Sequence, residues 1–174
     1  MAPGPGRAYR YVGPPELWHR GGGPGGQLLR TSAEFAAWMG ARTAAELAEP
    51  FTFTVGLAGF LRLAPSRSEH VDCAGGALML SAGEVGFRRE GGGWAVEEVS
   101  NQSTGYCPDV ASWPAVAAAL DRIGVHRPGG FTHEVVFRRC PGCGRNNIVR
   151  EGHFVCVFCD DDLPAYWNVD DGVS

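Results

Sequence analysis

Four cysteines in the C-terminal part of the chain constrain its fold more than any other feature. They are spaced C-x2-C-x12-C-x2-C, in the local sequences CPGCG and CVFCD. Two thiolates three positions apart can converge on one ion from a tight turn, and a second pair completes a tetrahedron of sulfur ligands about 2.3 Å from the metal. Four sulfurs leave no open position, so we expect one structural zinc ion. The ligands are Cys140, Cys143, Cys156 and Cys159.

Other interpretations of the same cysteines stay open. An iron centre uses the same cage, because ligand softness alone does not separate the two metals, and reduced or disulfide-paired cysteines would hold no metal. A zinc nucleobase deaminase is excluded, since Pro141 follows Cys140 instead of preceding it and no H-x-E occurs. A zincin-type protease is excluded because Phe137 stands where the second histidine after His133-Glu134 belongs.

CPGCG followed by a second C-x2-C pair resembles the knuckles of the zinc-ribbon (rubredoxin-like) family. The resemblance covers about residues 138–163 and includes all four ligand positions. We expect the ribbon's two hairpin arms at residues 147–149 and 153–155. Members of this family bind nucleic acids, dock onto proteins or only stabilise a fold. A structural zinc ion contributes about 10–16 kcal/mol of apparent binding free energy, enough to fold a ribbon of this size.

The composition describes a globular chain with a limited set of functions. Hydrophobic residues make up 44% and charged residues 20% of the 174 positions, which suits one ordinary domain plus a small appendage. All fifteen basic residues are arginine, so catalysis by a lysine Schiff base or a P-loop lysine is excluded. The net charge of −4 argues against a broad nucleic-acid footprint.

The charge is unevenly distributed near the C-terminus. Residues 126–159 carry five arginines and two glutamates, whereas residues 160–174 carry five aspartates and no basic residue. We expect the acidic tail to be solvated, although it could also fold back on the basic ribbon. Nucleic-acid binding through the ribbon remains an alternative function, and its arginines would be Arg138, Arg139, Arg145 and Arg150.

The N-terminus lacks the apolar core of a signal peptide, and no run of 18 apolar residues occurs. We therefore expect a cytoplasmic protein without a membrane segment, in a compartment where cysteine pairs are better interpreted as metal ligands than as disulfides.

The pattern predicts an α+β fold, in which an antiparallel β-sheet body with two or three short helices precedes the zinc ribbon. We divide the chain into an irregular Gly/Pro-rich arm (1–30), the α+β body (31–130), the ribbon (131–163) and an acidic tail (164–174). Residues 51–64 and residues 77–100 each predict a β-hairpin, the second one turning at Gly91-Gly92-Gly93. Residues 131–139 predict a strand that leads into the first cysteine pair.

Helix signals occur in residues 31–50 and 112–123. Ser112 is placed to cap the later helix, and Gly124 is placed to end it. The earlier stretch contains two capping-box pairs, Thr31 with Glu34 and Thr43 with Glu46.

The central segments 68–76 and 101–108 hold the remaining candidate site residues, which are His70, Cys73, Asn101, Tyr106 and Cys107. One hypothesis is an enzyme, a hydrolase or transferase, with Cys73 or Cys107 as nucleophile, His70 as base and Asn101 or Asp72 orienting the base. A second is another metal site built on the H-x2-C spacing of His70 and Cys73 together with Cys107. Under the third hypothesis, which we favour, both cysteines are small buried hydrophobic residues and the polar side chains form hydrogen bonds with the backbone.

Residues 68–124 also resemble a small β-rich module of bacterial effector-like and uncharacterised proteins. In that module a strand beginning A-G-E is followed by S-G-H-Y-x-P and a helix, and Thr104 and Gly105 stand here in place of its Gly and His. The matching residues are Ala82, Gly83, Glu84, Ser103, Tyr106 and Pro108. The resemblance implies a fold and no reaction. For the whole chain we expect a binding or adaptor module for a macromolecular partner, most simply a protein.

Overall fold

A five-stranded antiparallel sheet forms the centre of the molecule, in the strand order β1-β3-β2-β4-β5. The computed structural model describes residues 6–18 and 25–170. The strands are β1 Gln27–Leu29, β2 Phe51–Gly56, β3 Leu61–Ala64, β4 Met79–Glu90 and β5 Gly93–Val99. The predicted α+β class is confirmed, and both predicted hairpins are present as β2–β3 and β4–β5.

Strand β1 lies in the arm that the sequence predicts to be irregular. It pairs with the outer edge of β3, with Gln27 opposite Leu63 and Leu29 opposite Leu61. Three residues are too few to show a strand periodicity, so only the partner edge reveals this one. Tyr9 of the same arm is buried and exchanges two backbone hydrogen bonds with Met79.

The helices are short and lie on both faces of the sheet. They are α1 Pro15–Trp18, α2 Ser32–Gly40, α3 Ala44–Leu47, α4 His70–Ala74 and α5 Trp113–Arg122, the last preceded by a 3₁₀ turn at Val110–Ser112. Helices α2 and α5 share the main hydrophobic core with the sheet, for example through Phe35 and Phe87, whose ring centroids are 4.9 Å apart. Helix α4 packs against β2 and β3, so the threonines of β2 are buried as well.

The capping predictions have different outcomes. Thr43 and Glu46 form a complete capping box. The first box is half formed: the Thr31 hydroxyl accepts from the amide of Glu34 at 3.1 Å, but the Glu34 carboxylate accepts from the amide of Arg30 at 2.7 Å. The Ser112 hydroxyl makes no capping bond to α5. It donates instead to the carbonyl of Asp109 at 2.7 Å, across the 3₁₀ turn that precedes the helix. Gly124 ends α5 with φ +74°, a conformation that glycine adopts without strain.

The ribbon contains a second, two-stranded sheet of β6 Val136–Arg139 and β7 Asn146–Val149. The predicted pairing of residues 147–149 with 153–155 is wrong, since β7 pairs with β6 and Val155 instead bridges Asp162. The reason is that the first cysteine knuckle is itself the hairpin turn between β6 and β7. The predicted strand at 131–139 is also shorter than expected.

Residues 164–169, which we call the strap, fold back over β6. The Arg138 guanidinium donates to the carbonyls of Pro164 at 3.0 Å and Ala165 at 2.8 Å, and the Asn168 side chain bonds both backbone groups of Arg139 at 2.8 and 2.7 Å. Val169 is buried. The prediction of a solvated tail is therefore wrong for the strap, because its apolar residues cover the sheet. Residues 171–174 lie outside the described part of the chain.

Candidate metal centre

The four ribbon cysteines bring their sulfur atoms together, all within 4.8 Å of one another. The Sγ atoms of Cys140 and Cys159 are 3.5 Å apart, and those of Cys143 and Cys156 are 3.7 Å apart. A tetrahedron with metal–sulfur bonds of about 2.3 Å has edges of about 3.8 Å, whereas a disulfide bond is about 2.05 Å long. The predicted ligands thus form a cluster that fits one tetrahedral metal ion.

The two knuckles share one backbone geometry. In each, the amide of the first cysteine donates to the carbonyl five residues later, and its carbonyl accepts from the amide four residues later. These distances are 2.8 and 2.9 Å at Cys140 and 2.8 and 3.0 Å at Cys156. The fifth residue of each knuckle has a left-handed backbone, Gly144 with φ +77° and Asp160 with φ +66°. Each knuckle is therefore a rigid turn that places its two sulfurs on one side.

Hydrogen bonds to sulfur favour the thiolate form that binds metals. The amide of Phe158 and the side-chain amide of Asn147 both donate to the Cys156 Sγ at 3.4 Å. Burial acts to raise the pKa of Cys156, but these two donors, together with the amide of Cys159 and the Cys143 thiol, outweigh it and lower the pKa. The cluster is half-covered, with Cys140 and Cys156 buried and Cys143 and Cys159 exposed. Cys156 is thus a buried ligand whose thiolate form is stabilised by neighbouring donors.

Asn147 supports the site and was not identified from the sequence. Its side chain is buried, donates to the Arg145 carbonyl at 3.2 Å as well as to Cys156, and accepts from the amide of Val157 at 2.9 Å. It thereby connects β7 to the second knuckle. An asparagine in a hairpin arm gives no signal in the sequence, because its partners are brought to it only by the fold.

The candidates on α4 are engaged in structural contacts. The Nε2 of His70 donates to the carbonyl of Gly83 at 2.8 Å, and burial lowers the pKa of this imidazole. Cys73 lies 3.5 Å from the Oγ1 of Thr54, and burial raises the pKa of its thiol to about 11.

The other three candidates also bond the backbone. Asn101 is buried and bonds Pro108 and Val135, and the Tyr106 hydroxyl donates to the carbonyl of Ala77 at 2.8 Å. Cys107 packs with Phe137 and Val169 under the ribbon, and burial raises its pKa to about 12. These contacts are of the kind expected under the structural hypothesis.

A second metal site at His70, Cys73 and Cys107 is not formed. Within residues 6–18 and 25–170, the ribbon cysteines are the one group of three or more potential ligands that lie within ligand distance of each other. His70 and Cys73 both lie on the short helix α4, but their side chains have different partners. The His70 side chain bonds the carbonyl of Gly83, and the Cys73 side chain faces β2.

We expect both central thiols to react slowly with iodoacetamide. With pKa values of about 11 and 12, less than about 0.1% of each thiol of Cys73 and Cys107 is ionised at pH 7.5, and only the thiolate reacts. The metal-loaded protein should therefore alkylate at these positions at least 100-fold more slowly than the urea-unfolded chain does, by peptide mass mapping. A rate like that of the unfolded chain at either cysteine would restore the nucleophile hypothesis.

Comparison of the chain with protein-family models, with curated proteins and with solved structures finds no match. None of the helices within the described ranges is long and apolar enough to cross a membrane. Any inference about function therefore starts from the cysteine cluster and the surfaces around it.

Proposed function

We propose that the ribbon holds one structural zinc ion and acts as a docking module for a protein partner. The observation that carries the proposal is that a closed sulfur cage presents apolar side chains to solvent. Val157 and Phe158 lie between the two cysteines of the second knuckle and are 73% and 53% exposed. Exposed apolar side chains on a rigid turn favour association, because little conformational entropy is lost when they are covered.

We propose zinc rather than iron as the ion, although the tetrahedral sulfur cage itself accepts both metals. Four thiolates in a tetrahedron satisfy the coordination preference of zinc completely, and no position is left for a substrate or water. A structural ion needs no redox change, and zinc has none. When bound, the ion would hold the two knuckles at a fixed distance through its four ligands.

The docking surface, which we call the apex, consists of Val157, Phe158 and Arg145. The Arg145 guanidinium lies over the Phe158 ring, 4.7 Å from its centroid. This cation–π contact joins the first knuckle to the second and gives the apolar pair a basic edge. Aromatic and arginine side chains are the types enriched where protein interfaces concentrate their binding energy.

The alternatives have less support. An enzyme with a central cysteine nucleophile needs an ionisable thiol, and burial raises the pKa of both candidates. For nucleic-acid binding, the Arg138 guanidinium is buried and donates to the carbonyls of Phe137, Pro164 and Ala165, so it does not offer a free cation. A reducing compartment such as the cytoplasm would suit the ribbon, since its thiols must stay reduced to bind metal.

We expect Phe158→Ser to weaken binding to the partner at least about tenfold, as loss of an interface anchor does. Proteins captured from an extract of the native cells by the metal-loaded chain would be identified by mass spectrometry. Binding of each purified candidate would then be measured by titration calorimetry. The matched control is Leu78→Ser, which removes a similarly exposed apolar side chain, 45% exposed, from the body; it should change the affinity less than about twofold.

Two results would contradict the docking proposal. One is a purified partner that binds the wild type and Phe158→Ser equally well. The other is binding to nucleic acid that falls steeply with salt and depends on Arg139, Arg145 and Arg150, which would favour the nucleic-acid alternative. Metal content measured on each variant would show that the cage itself is intact.

A further inference from the structure

A cleft of about 790 Å³ lies between the N-terminal arm, the β2–β3 turn and α5. Its volume falls within the range of about 300–1,000 Å³ typical of small-molecule sites. Its lining comes from residues 6–9, 57–59, 80 and 109–122, so it shares no residue with the ribbon or the apex. The cleft is therefore independent of the docking function proposed above.

Small side chains keep the cleft open. Ala111, Ala115 and Ala118 lie at spacings of four and three residues, which places them on one face of α5 and its leading turn. Val116 and Leu120 on the other face of α5 are buried in the main core. The helix is thus anchored by one face and presents an alanine surface to the cleft, and leucine side chains at 57 and 80 extend this apolar wall.

Two arginines give the cleft a positive character in a chain with a net charge of −4. Arg7 lies over the Trp167 ring, 4.4 Å from its centroid, and Arg122 lies over the Phe60 ring and donates to the Gly59 carbonyl. Within the described part of the chain, neither forms an ion pair with a carboxylate. The cleft's lining includes one acidic residue, Asp109.

We propose that this cleft binds a small organic anion. An apolar body would pack against the alanine surface of α5, and a single acidic group would pair with Arg122. A charge-assisted hydrogen bond to an arginine is stronger than a neutral one, and the Phe60 ring holds the Arg122 guanidinium in place before a ligand arrives. The neighbouring Asp109 selects against ligands with several negative charges.

The test uses two fluorescent probes that differ in their charge. 1-Anilinonaphthalene-8-sulfonate has an apolar body and one sulfonate, and N-phenyl-1-naphthylamine has the same body without the charge. We expect the sulfonate to bind the metal-loaded protein with a stoichiometry of one. Ala118→Trp, which fills the cleft from an exposed position on α5, should lower the affinity for both probes at least about tenfold. Arg122→Gln should lower the affinity for the sulfonate about tenfold and that for the neutral probe less than about twofold.

Matched controls separate the cleft from general surface binding. Ala37→Trp adds the same side chain at an exposed position of α2, and Arg89→Gln removes an arginine that lies over Trp94 outside the cleft. Neither should change the affinity of either probe. Thermal unfolding followed by circular dichroism would show that each variant is folded, and Ala111→Trp replaces Ala118→Trp if that variant is not.

Several results would overturn the proposal. The first is that the sulfonate shows no saturable binding. The second is that a folded tryptophan variant binds the probes as tightly as the wild type does. The third is that Arg122→Gln lowers the affinity for both probes equally.

Discussion

Replacing Cys156 with serine is expected to release the metal ion and unfold the ribbon, while the five-stranded sheet stays folded. Cys156 is a buried ligand, and a structural zinc site contributes about 10–16 kcal/mol of apparent binding free energy. The ribbon's own hydrophobic cluster is small, with Val149 and Leu163 as its buried aliphatic residues. Without the ion, that cluster cannot offset the conformational entropy of the knuckles. The body keeps a separate core that contains no ribbon cysteine.

Two measurements follow this change. Elemental analysis should find about one metal equivalent in the wild type and less than about 0.1 in Cys156→Ser. Amide hydrogen exchange should lose its protection in residues 136–163 of the variant and keep it in β2 and β4. The control is Cys73→Ser, which alters a buried thiol beside Thr54 and should retain the full equivalent of metal.

Chelation gives an independent version of the same experiment. Stripping the wild type with a strong chelator should reproduce the exchange pattern of Cys156→Ser, and adding zinc back should restore protection. A chain without bound metal after gentle purification, or residues 138–160 equally protected before and after chelation, would refute the metal centre. Iron in place of zinc would be recognised by its visible absorption, and it would correct the identity of the ion without affecting the cage.

The metal ligands were predictable because their chemistry is encoded locally. Each C-x2-C pair fits one tight turn, so the spacing alone states which sulfurs can converge. The helix start at Thr43 and the β4–β5 hairpin are local in the same sense, since Glu46 lies three residues from its cap and glycines mark the turn. Sequence signals that depend on only a few neighbouring residues can be recognised without knowledge of the fold.

Features that depend on distant partners were not predictable. The sequence assigns Arg138 to a basic surface, yet its donors satisfy carbonyls of the strap, 26 and 27 residues further along the chain. The acidic residues around the strap predict a solvated tail, whereas Trp167 donates to the Cys107 carbonyl at 2.8 Å and Val169 is buried beside Phe137. Net charge describes a segment's average and does not show where its few apolar residues pack.

The candidate site residues in the central segments illustrate a related difficulty. Polar side chains that follow strands are typical of functional loops and also of the hydrogen bonds that join one layer of a fold to another. His70 and Asn101 were therefore ambiguous in the sequence. The structure places each against backbone groups of another segment, His70 against Gly83 and Asn101 against Pro108 and Val135.

Asn101→Ala is expected to lower the free energy of unfolding by about 3–5 kcal/mol, the second large effect that the structure predicts. The Asn101 side chain is fully buried and makes three hydrogen bonds at the junction of the body and the ribbon. Its Nδ2 donates to the carbonyls of Pro108 at 2.9 Å and Val135 at 2.7 Å, and its Oδ1 accepts from the amide of Val135 at 2.7 Å. Alanine leaves these three backbone groups without partners, and each unsatisfied buried group costs about 1–3 kcal/mol.

Urea unfolding of the metal-loaded protein, followed by tryptophan fluorescence, would measure this effect as a midpoint about 2 M lower than that of the wild type. Gln102→Ala is the matched control, because the adjacent side chain is exposed; it should change the free energy of unfolding by less than about 0.5 kcal/mol. Under the enzyme hypothesis, Asn101 would be an orienting group whose loss affects turnover more than stability. An Asn101→Ala variant as stable as Gln102→Ala would therefore refute the structural role and return Asn101 to the list of candidate catalytic residues.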